Sequence, residues 1–347
     1  MIKTRQWSFL IFLLLTGTAG FSQTAAPIDS IQFFVDEKPM EIKLGIDMKI
    51  LMGEKPQGQD YLPATFSTRL PPDSTLVTEQ IRITTRGHVR RAMCYMPPLK
   101  LNFHNTTSPR LYPLHTLKLV VGCKTNPDFE QLILKEYLIY KMYNLISDLS
   151  FRVRLAHVNY EDLKGKRKGF AQYAFFLESE SALAKRNHCK EWKGDHVMQE
   201  GTLRKQMTVV SLFEFMIANT DWGVPAAHNI KLIYNHKDSI KVPIAVPYDF
   251  DYSGLVNADY AVAEPQLGID FVTQRLYRGF PRIMSELTEA IANFNKQKEP
   301  IYSLIRNFEP LSVRNKKDMI GYLDDFFKII NDKRQIQDMF IDHARKD

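Results

Sequence analysis

Only three cysteines, Cys94, Cys123 and Cys189, occur in 347 residues, so one intramolecular disulfide at most can form, and their spacing is wrong for zinc. The nine histidines contain no His-x-x-x-His pair, the helical zinc signature. After the first two dozen residues no apolar run is long enough to span a bilayer. Basic charge is not concentrated either. Lys and Arg number 46 against 39 Asp and Glu, and this net +7 is spread along the chain, whereas nucleic-acid binding calls for a basic face. A Gly-x-Gly-x-x-Gly phosphate loop is missing, with only Gly87 standing in Thr-Arg-Gly-His. No internal repeat or low-complexity segment is present.

What is present begins with an address. Lys3 and Arg5 precede the apolar stretch Trp7 to Leu15, and Gly20-Phe21-Ser22 places small residues where a signal peptidase reads. A cleaved signal peptide over residues 1–22 is expected, giving a secreted or periplasmic protein with no stable membrane span after cleavage; an uncleaved anchor is the alternative. No Cys stands beside the cleavage region to carry a lipid. Removing Met1 to Ser22 takes away Lys3 and Arg5 and no acid, which lowers the net charge to +5.

The remaining chain of about 325 residues can bury a substantial core, as one domain of two lobes or as two small domains. Short strands, Leu117 to Val121 among them, alternate with one long helix, Glu130 to Ser147, through residues 23–178. Residues 179–347 read as mainly helical apart from one hairpin, with core-packing stripes in Ile283 to Phe294 and Asp318 to Ile330. The fold class is therefore α+β, a β-rich part followed by a helical one. Cys94 and Cys123 both fall near strand ends of the first part and are the expected disulfide. Lys164 to Gly169 is a basic hairpin tip between two apolar strands.

The 31 residues from Asn219 to Asp249 carry the most chemistry. The segment 208–219 is apolar nearly all round and predicts a buried helix, which fixes Asp221 just beyond its end. Gly223 and Pro225 force a loop before His228 and Asn229, and Ile230 to Tyr234 and Val242 to Val246 form a hairpin around the turn Asn235 to Ser239. Tyr248-Asp249-Phe250-Asp251 then returns to where the hairpin began. A carboxylate that orients an attacking hydroxyl needs a rigid support, and Mg²⁺ needs hard oxygen ligands. Asp221 suits the first task, with His228 beside it. Asn229 and Asp249 suit the second, and Asp251 is a second metal ligand or the actual one. Singly, each of these residues also suits a cap or a turn.

The run Asn-Thr-Asp-Trp...His-Asn...Pro-Tyr-Asp-Phe-Asp-Tyr-Ser-Gly, residues 219–254, resembles the catalytic region of the CotH family of spore-coat protein kinases, and more distantly HipA-type and lipid-kinase-like atypical kinases. Arg82 to Gly87 followed by Pro97-Pro98-Leu99-Lys100-Leu101 resembles the Arg-Gly element and following strand of that family. The resemblance covers roughly residues 80–260. It implies a protein-kinase-like two-lobed fold, ATP with Mg²⁺ or Mn²⁺ as cofactors, and a serine or similar hydroxyl of an exported protein as acceptor; an envelope glycan hydroxyl is the other option. Lys118 and Glu136, eighteen apart on a strand and a helix, resemble the kinase Lys and Glu pair that holds nucleotide phosphates, with Lys100 as the competing cation. Arg86, with Arg90 and Arg91, forms either a phosphate-contacting turn or a solvated one. The spacing departs from the common kinase loop: Asp221 and Asn229 are eight apart, where His-Arg-Asp-x-x-x-x-Asn sets them about five apart. Scarcity of ATP outside the cytoplasm motivates a second reading, a kinase-shaped binding module of the cell envelope without catalysis; a third is a metal-dependent phosphohydrolase using the Asp249 and Asp251 pair.

Overall fold

Apolar and polar residues alternate along several segments of the first half of the chain, as in Met40–Leu44, and these segments are strands whose hydrogen-bonding edges close on one another. In the computed structural model the described residues are 32–345 except 36, 37, 57, 59, 71–73 and 88; the expected signal peptide lies outside them. The elements in order are β1 (Met40–Ile46), α1 (Met48–Gly53), β2 (Leu62–Leu70), β3 (Thr75–Thr85), α2 (Val89–Met93), β4 (Leu99–Asn102), β5 (Thr116–Val121), α3 (Pro127–Ile146), β6 (Val153–Asp162) and β7 (Phe170–Leu177). The seven strands form a closed barrel in the order β1-β2-β3-β4-β5-β7-β6, all antiparallel except the closing pair, in which β1 runs parallel to β6 with Ile42 opposite Val158. This corrects the two-lobed kinase-like fold expected from the sequence. The first part is not an open sheet over a helix, because β6 finds the free edge of β1 and removes both edges.

The period of two gives the barrel strands two faces. Inward, Leu44, Phe66, Ile83, Leu101, Leu119 and Phe176 fill the lumen. At one point Arg154 also turns inward, where its Nη1 donates to the Phe33 carbonyl at 3.0 Å and its guanidinium lies 4.8 Å from the Phe33 ring centre. Outward, Val120, Leu155, Phe175 and Leu177 pack against α3. Asn126 caps α3 by accepting from Phe129 N at 3.1 Å, Pro127 opens its first turn, and Asp128 and Glu130 complement the helix dipole there. Between barrel and later helices α3 is covered nearly all round, which explains its long apolar run and leaves Glu136 only 1% exposed. Burying each large apolar side chain of α3, such as Leu134, Leu138 or Tyr140, is worth roughly 1.5–3 kcal/mol.

The second half comprises α4 (Glu180–Arg186), β8 (Cys189–Glu191), α5 (Arg204–Met216), β9 (Ile230–Asn235), β10 (Ile244–Pro247), α6 (Met284–Asn307), α7 (Val313–Ile329) and α8 (Lys333–Gln337). The sequence-expected hairpin is β9 and β10, and β8 adds to its β9 side to give a three-stranded sheet. Helix α6 packs on α3, α5 and α7, so one core runs from the outer wall of the barrel into the helical part. Cys94 and Cys123 form a disulfide, joining the residue after α2 to the segment after β5, while Cys189 is a buried free thiol. Among the described residues no helix is long and apolar enough to cross a membrane.

Candidate functional site

Helix α5 ends at Met216, and the chain turns out of it through Ala218 in the left-handed region (φ 50°). Asn219 Oδ1 accepts from Asp221 N at 3.1 Å, and Arg278 Nη1 bonds the carbonyls of Thr220 and Trp222, so the backbone on both sides of Asp221 is held. The next loop closes on itself: Gly223 and His228 exchange two backbone hydrogen bonds, at 2.9 and 3.0 Å. That closure absorbs the long spacing noted in the sequence and returns His228 and Asn229 to Asp221. His228 Nε2 lies 2.7 Å from Asp221 Oδ1, and Asn229 Nδ2 donates to Asp221 Oδ2 at 3.0 Å and to its carbonyl at 2.7 Å.

The hairpin delivers the other acids. Pro247 pairs with Ile230, and Tyr248 N donates to Asn229 O at 3.0 Å, which sets Asp249 near the start of β9. Phe250 is fully buried against Tyr140 and Phe213, with ring centres 4.7 and 5.7 Å away, so its neighbours Asp249 and Asp251 project elsewhere. Asp249 N donates to Tyr140 Oη at 2.8 Å. Ala218, Ala227, Asn229 and Asp249 all have positive φ, between 46° and 65°. Such backbone costs on the order of 1–3 kcal/mol per residue, is cheapest for Asn and Asp, and gathers where the surroundings over-determine a functional geometry.

The barrel supplies the cations. Arg86 and Gly87 sit in the turn after β3, with Gly87 at φ 79° and Arg86 N bonded to Pro98 O at 2.8 Å. A cavity of about 330 Å³ is lined by Arg86, Arg90, Asp221, Asn229, Asp249 and Asp251, together with His228 and Tyr252. Here the structure departs from the expected Lys118–Glu136 pair. The cation facing Glu136 is Arg90, whose Nη1 lies 3.9 Å from Glu136 and 3.7 Å from Asp251 and whose Nη2 bonds the Val121 carbonyl. The reason is positional: Lys118 stands mid-strand on the outer face of β5, 5.5 Å from the Tyr248 ring centre, whereas Arg90 of α2 reaches Val121, the last residue of β5, and Glu136 from there. Lys100 lies directly opposite Lys118 on β4, on the same outer face; neither lysine lines the cavity, but Lys118 is near enough to feel Arg86 and Asp249.

Electrostatics follow burial. Burial lowers the Lys118 pKa to about 8, helped by Arg86 and Lys231 and opposed by Asp249. Burial raises Asp251 to about 6; Asp249 adds to this, while Arg90 and the Tyr260 hydroxyl, donating at 3.0 Å, oppose it. Burial also pushes Glu136 well above the usual carboxylate range, and neither of its oxygens accepts a hydrogen bond. Burial disfavours the Arg90 charge, but Tyr260, Asp251 and Glu136 outweigh it and hold the guanidinium protonated.

Among the described residues no three His, Cys, Asp or Glu side chains converge as a ready metal cage. The set still fits Mg²⁺ or Mn²⁺ arriving with phosphate, since Mg²⁺ takes one or two carboxylates and fills its other positions with water and phosphate oxygens. Asn229 turns its amide nitrogen to Asp221 and so leaves the amide oxygen on the other side, and Asp249 adds a carboxylate next to Asp251. The sequence pattern alone does not single out Arg90, Tyr260 or Arg278 for the site. The signal for Arg90 was Cys94, whose disulfide ties the arginine-rich turn to the end of β5. The chain matches no protein-family model and no curated protein, so site geometry carries the functional argument.

Proposed function

We propose that this chain transfers a phosphoryl group from a nucleoside triphosphate to a hydroxyl, as its resemblance to CotH-type kinases implies. The observation that carries this reading is the convergence of Asp221, Asn229, Asp249 and Asp251 with Arg86 and Arg90 on one 330 Å³ cavity. It rests on the site and not on the fold, since unrelated folds host one chemistry. That volume is near the lower end of ligand sites, which suits a donor held by its phosphates.

Asp221, oriented by His228 and Asn229, accepts the proton of the acceptor hydroxyl. The hydroxyl oxygen bonds to the γ-phosphorus, the bond to the bridging oxygen breaks, and the nucleoside diphosphate leaves. Arg86 and the Lys118 ammonium meet phosphate oxygens, and Arg90 keeps Glu136 and Asp251 balanced behind them. Mg²⁺ or Mn²⁺ held by Asn229 and Asp249, with Asp251 adjacent, would neutralise phosphate charge. A second cavity of about 500 Å³ shares Asp221, His228 and Tyr252 with the first and is walled by Val262, Pro265 and Val272, which gives the acceptor its own approach. The acceptor is a serine-like hydroxyl of an exported protein or of an envelope component.

One observation favours a second reading. Glu136 is engaged by Arg90 and leaves Lys118 without a carboxylate partner from α3, an arrangement that also suits a phosphate-binding envelope module without turnover. Incubation with γ-labelled ATP and Mg²⁺ or Mn²⁺ separates the two. Label transfer to the protein or to envelope extract, lost in Asp221→Ala and Asp249→Ala variants that keep their circular dichroism, supports transfer. Nucleotide-induced thermal stabilisation without transfer supports the module, and neither effect sinks both readings.

A further inference from the structure

The lysines that look dispersed in the sequence are gathered by the small sheet. Lys185, Lys190 and Lys193 come from α4 and the β8 region, Lys237 and Lys241 from the β9–β10 turn, and all five line one open cavity of about 810 Å³. This cavity shares no lining residue with that of Asp221. Glu191 is the one acid among its described lining residues, so the wall carries five positive charges against one negative. Of the nearby aspartates, Asp238 is held by Asn235 Nδ2 at 2.9 Å, and Asp195 presents its backbone carbonyl to Trp192.

Two aromatic rings accompany the lysines. Trp192 and Tyr234 lie edge to face, 5.7 Å apart at 86°, and Lys241 Nζ stands 5.8 Å from the Tyr234 ring centre. Trp192 is fixed before any ligand arrives. Its backbone N continues the β8–β9 pairing to Leu232 O at 2.8 Å, and its indole Nε1 donates to Asp195 O at 3.3 Å. A Cβ on Gly194 would stand 2.7 Å from the indole, so only glycine lets the loop fold this closely onto the ring. A half-buried, pinned tryptophan beside exposed ammonium groups is a preorganised surface, and preorganisation reduces the ordering cost of binding.

We infer that this pocket binds an anionic saccharide, with a sugar ring against Trp192 and Tyr234 and the carboxylate, sulfate or phosphate groups of neighbouring units met by the lysines. The aromatic pair sets this ligand ahead of an acidic peptide, for which charge alone would serve. Nearly perpendicular rings offer no two parallel platforms for successive bases, which sets it ahead of single-stranded nucleic acid. The absence of arginine among the described lining residues agrees: lysine ammoniums are adaptable point charges, whereas planar bidentate recognition of phosphate is an arginine task.

The test is titration of the purified chain with oligogalacturonate and with heparin, followed by tryptophan fluorescence, with neutral dextran, polyglutamate and oligo-dT alongside. Saturable binding of at least one anionic glycan is expected, weakened by salt, absent for dextran and lost from the fluorescence signal in Trp192→Phe. Reversing two exposed charges, Lys190→Glu with Lys237→Glu, is expected to weaken it at least tenfold with an unchanged melting temperature. In Trp192→Ala, followed by calorimetry because the fluorescent reporter is gone, glycan binding is expected to weaken and any polyglutamate binding to stay as it was. Tighter binding of oligo-dT or polyglutamate than of either glycan overturns the assignment, as does glycan binding that survives the charge reversal, or no binding at all.

Discussion

Replacing Arg90 with methionine tests how the acid cluster is held. The guanidinium is the cation between Glu136 and Asp251, at 3.9 and 3.7 Å, with the two carboxylates 1% and 8% exposed. Removing one partner from a buried ion-pair group leaves uncompensated charge and costs about 3–5 kcal/mol while the carboxylates stay ionised. They escape that cost by binding protons, so the penalty depends on pH. The sign follows from Asp251, whose folded pKa of about 6 lies above its ordinary 3.8. A carboxyl raised on folding stabilises the native state at low pH, and that contribution is lost as pH rises from near 3.8 through about 6, amounting to roughly 3 kcal/mol at 1.36 kcal/mol per unit. Without Arg90 both carboxyls move further up, and the loss extends to higher pH. Urea unfolding should show a gap between wild type and variant below about 1 kcal/mol at pH 4.5 that widens to about 3–5 kcal/mol at pH 8. A gap equal at the two pH values, or under about 1 kcal/mol at pH 8, would refute the assignment of Arg90 as the counter-charge.

Three further outcomes are expected. Pyrophosphate binding measured by calorimetry should fall as pH rises through about 8, where Lys118 loses its proton, and Lys118→Met should flatten the profile; because this pKa is lowered from 10.5, the same group makes the apoprotein more stable as pH rises from about 8 to 10.5. The double variant Cys94→Ser, Cys123→Ser should lose roughly 3.5 kcal/mol, from closure of a 29-residue loop, and should lose affinity for pyrophosphate as well, since α2 is then free to move Arg90. In Gly254→Ala the new Cβ would stand 2.4 Å from Val272 O and 2.8 Å from Thr273 Cα, so a drop of about 1–3 kcal/mol in stability is expected, and an unchanged melting temperature would count against the tight docking of this loop on Ala218.

Local features were legible in the sequence and distant ones were not. The hairpin after Asn229, strand β5, helix α3 and the pairing of Cys94 with Cys123 each left a mark within a short window: an apolar run, a turn composition, a strand end. Closure of the barrel left none. The parallel pairing of Met40–Ile46 with Ala156–Asp162 joins segments more than a hundred residues apart, and an edge strand and a closed one share the same period of two. The Lys118–Glu136 expectation failed for a related reason. A separation of eighteen residues fits a strand and a helix, but which cation reaches the glutamate depends on where α2 enters, and α2 is tied there by a cysteine 29 residues from its partner. The lysine pocket leaves no mark in the sequence because its charges come from two segments that meet only through β8 and β9.

The two halves of the molecule bring opposite charges to one place. Lys118 comes from a strand of the closed barrel, Arg86 from the turn after β3 and Arg90 from α2, which the disulfide ties to the end of β5; Asp221, Asn229, Asp249 and Asp251 come from the later hairpin and loops, fixed by left-handed backbone and by Phe250 in the core. Glu136 lies on the helix packed between them. Behind this meeting point the disulfide packs with Phe129, Leu132 and Tyr260, and Tyr260 is the residue that donates to Asp251. One covalent link therefore steadies a cation through α2 and abuts the hydrogen-bond donor of its acidic partner. Loosening that packing should reduce phosphate affinity before it unfolds either core.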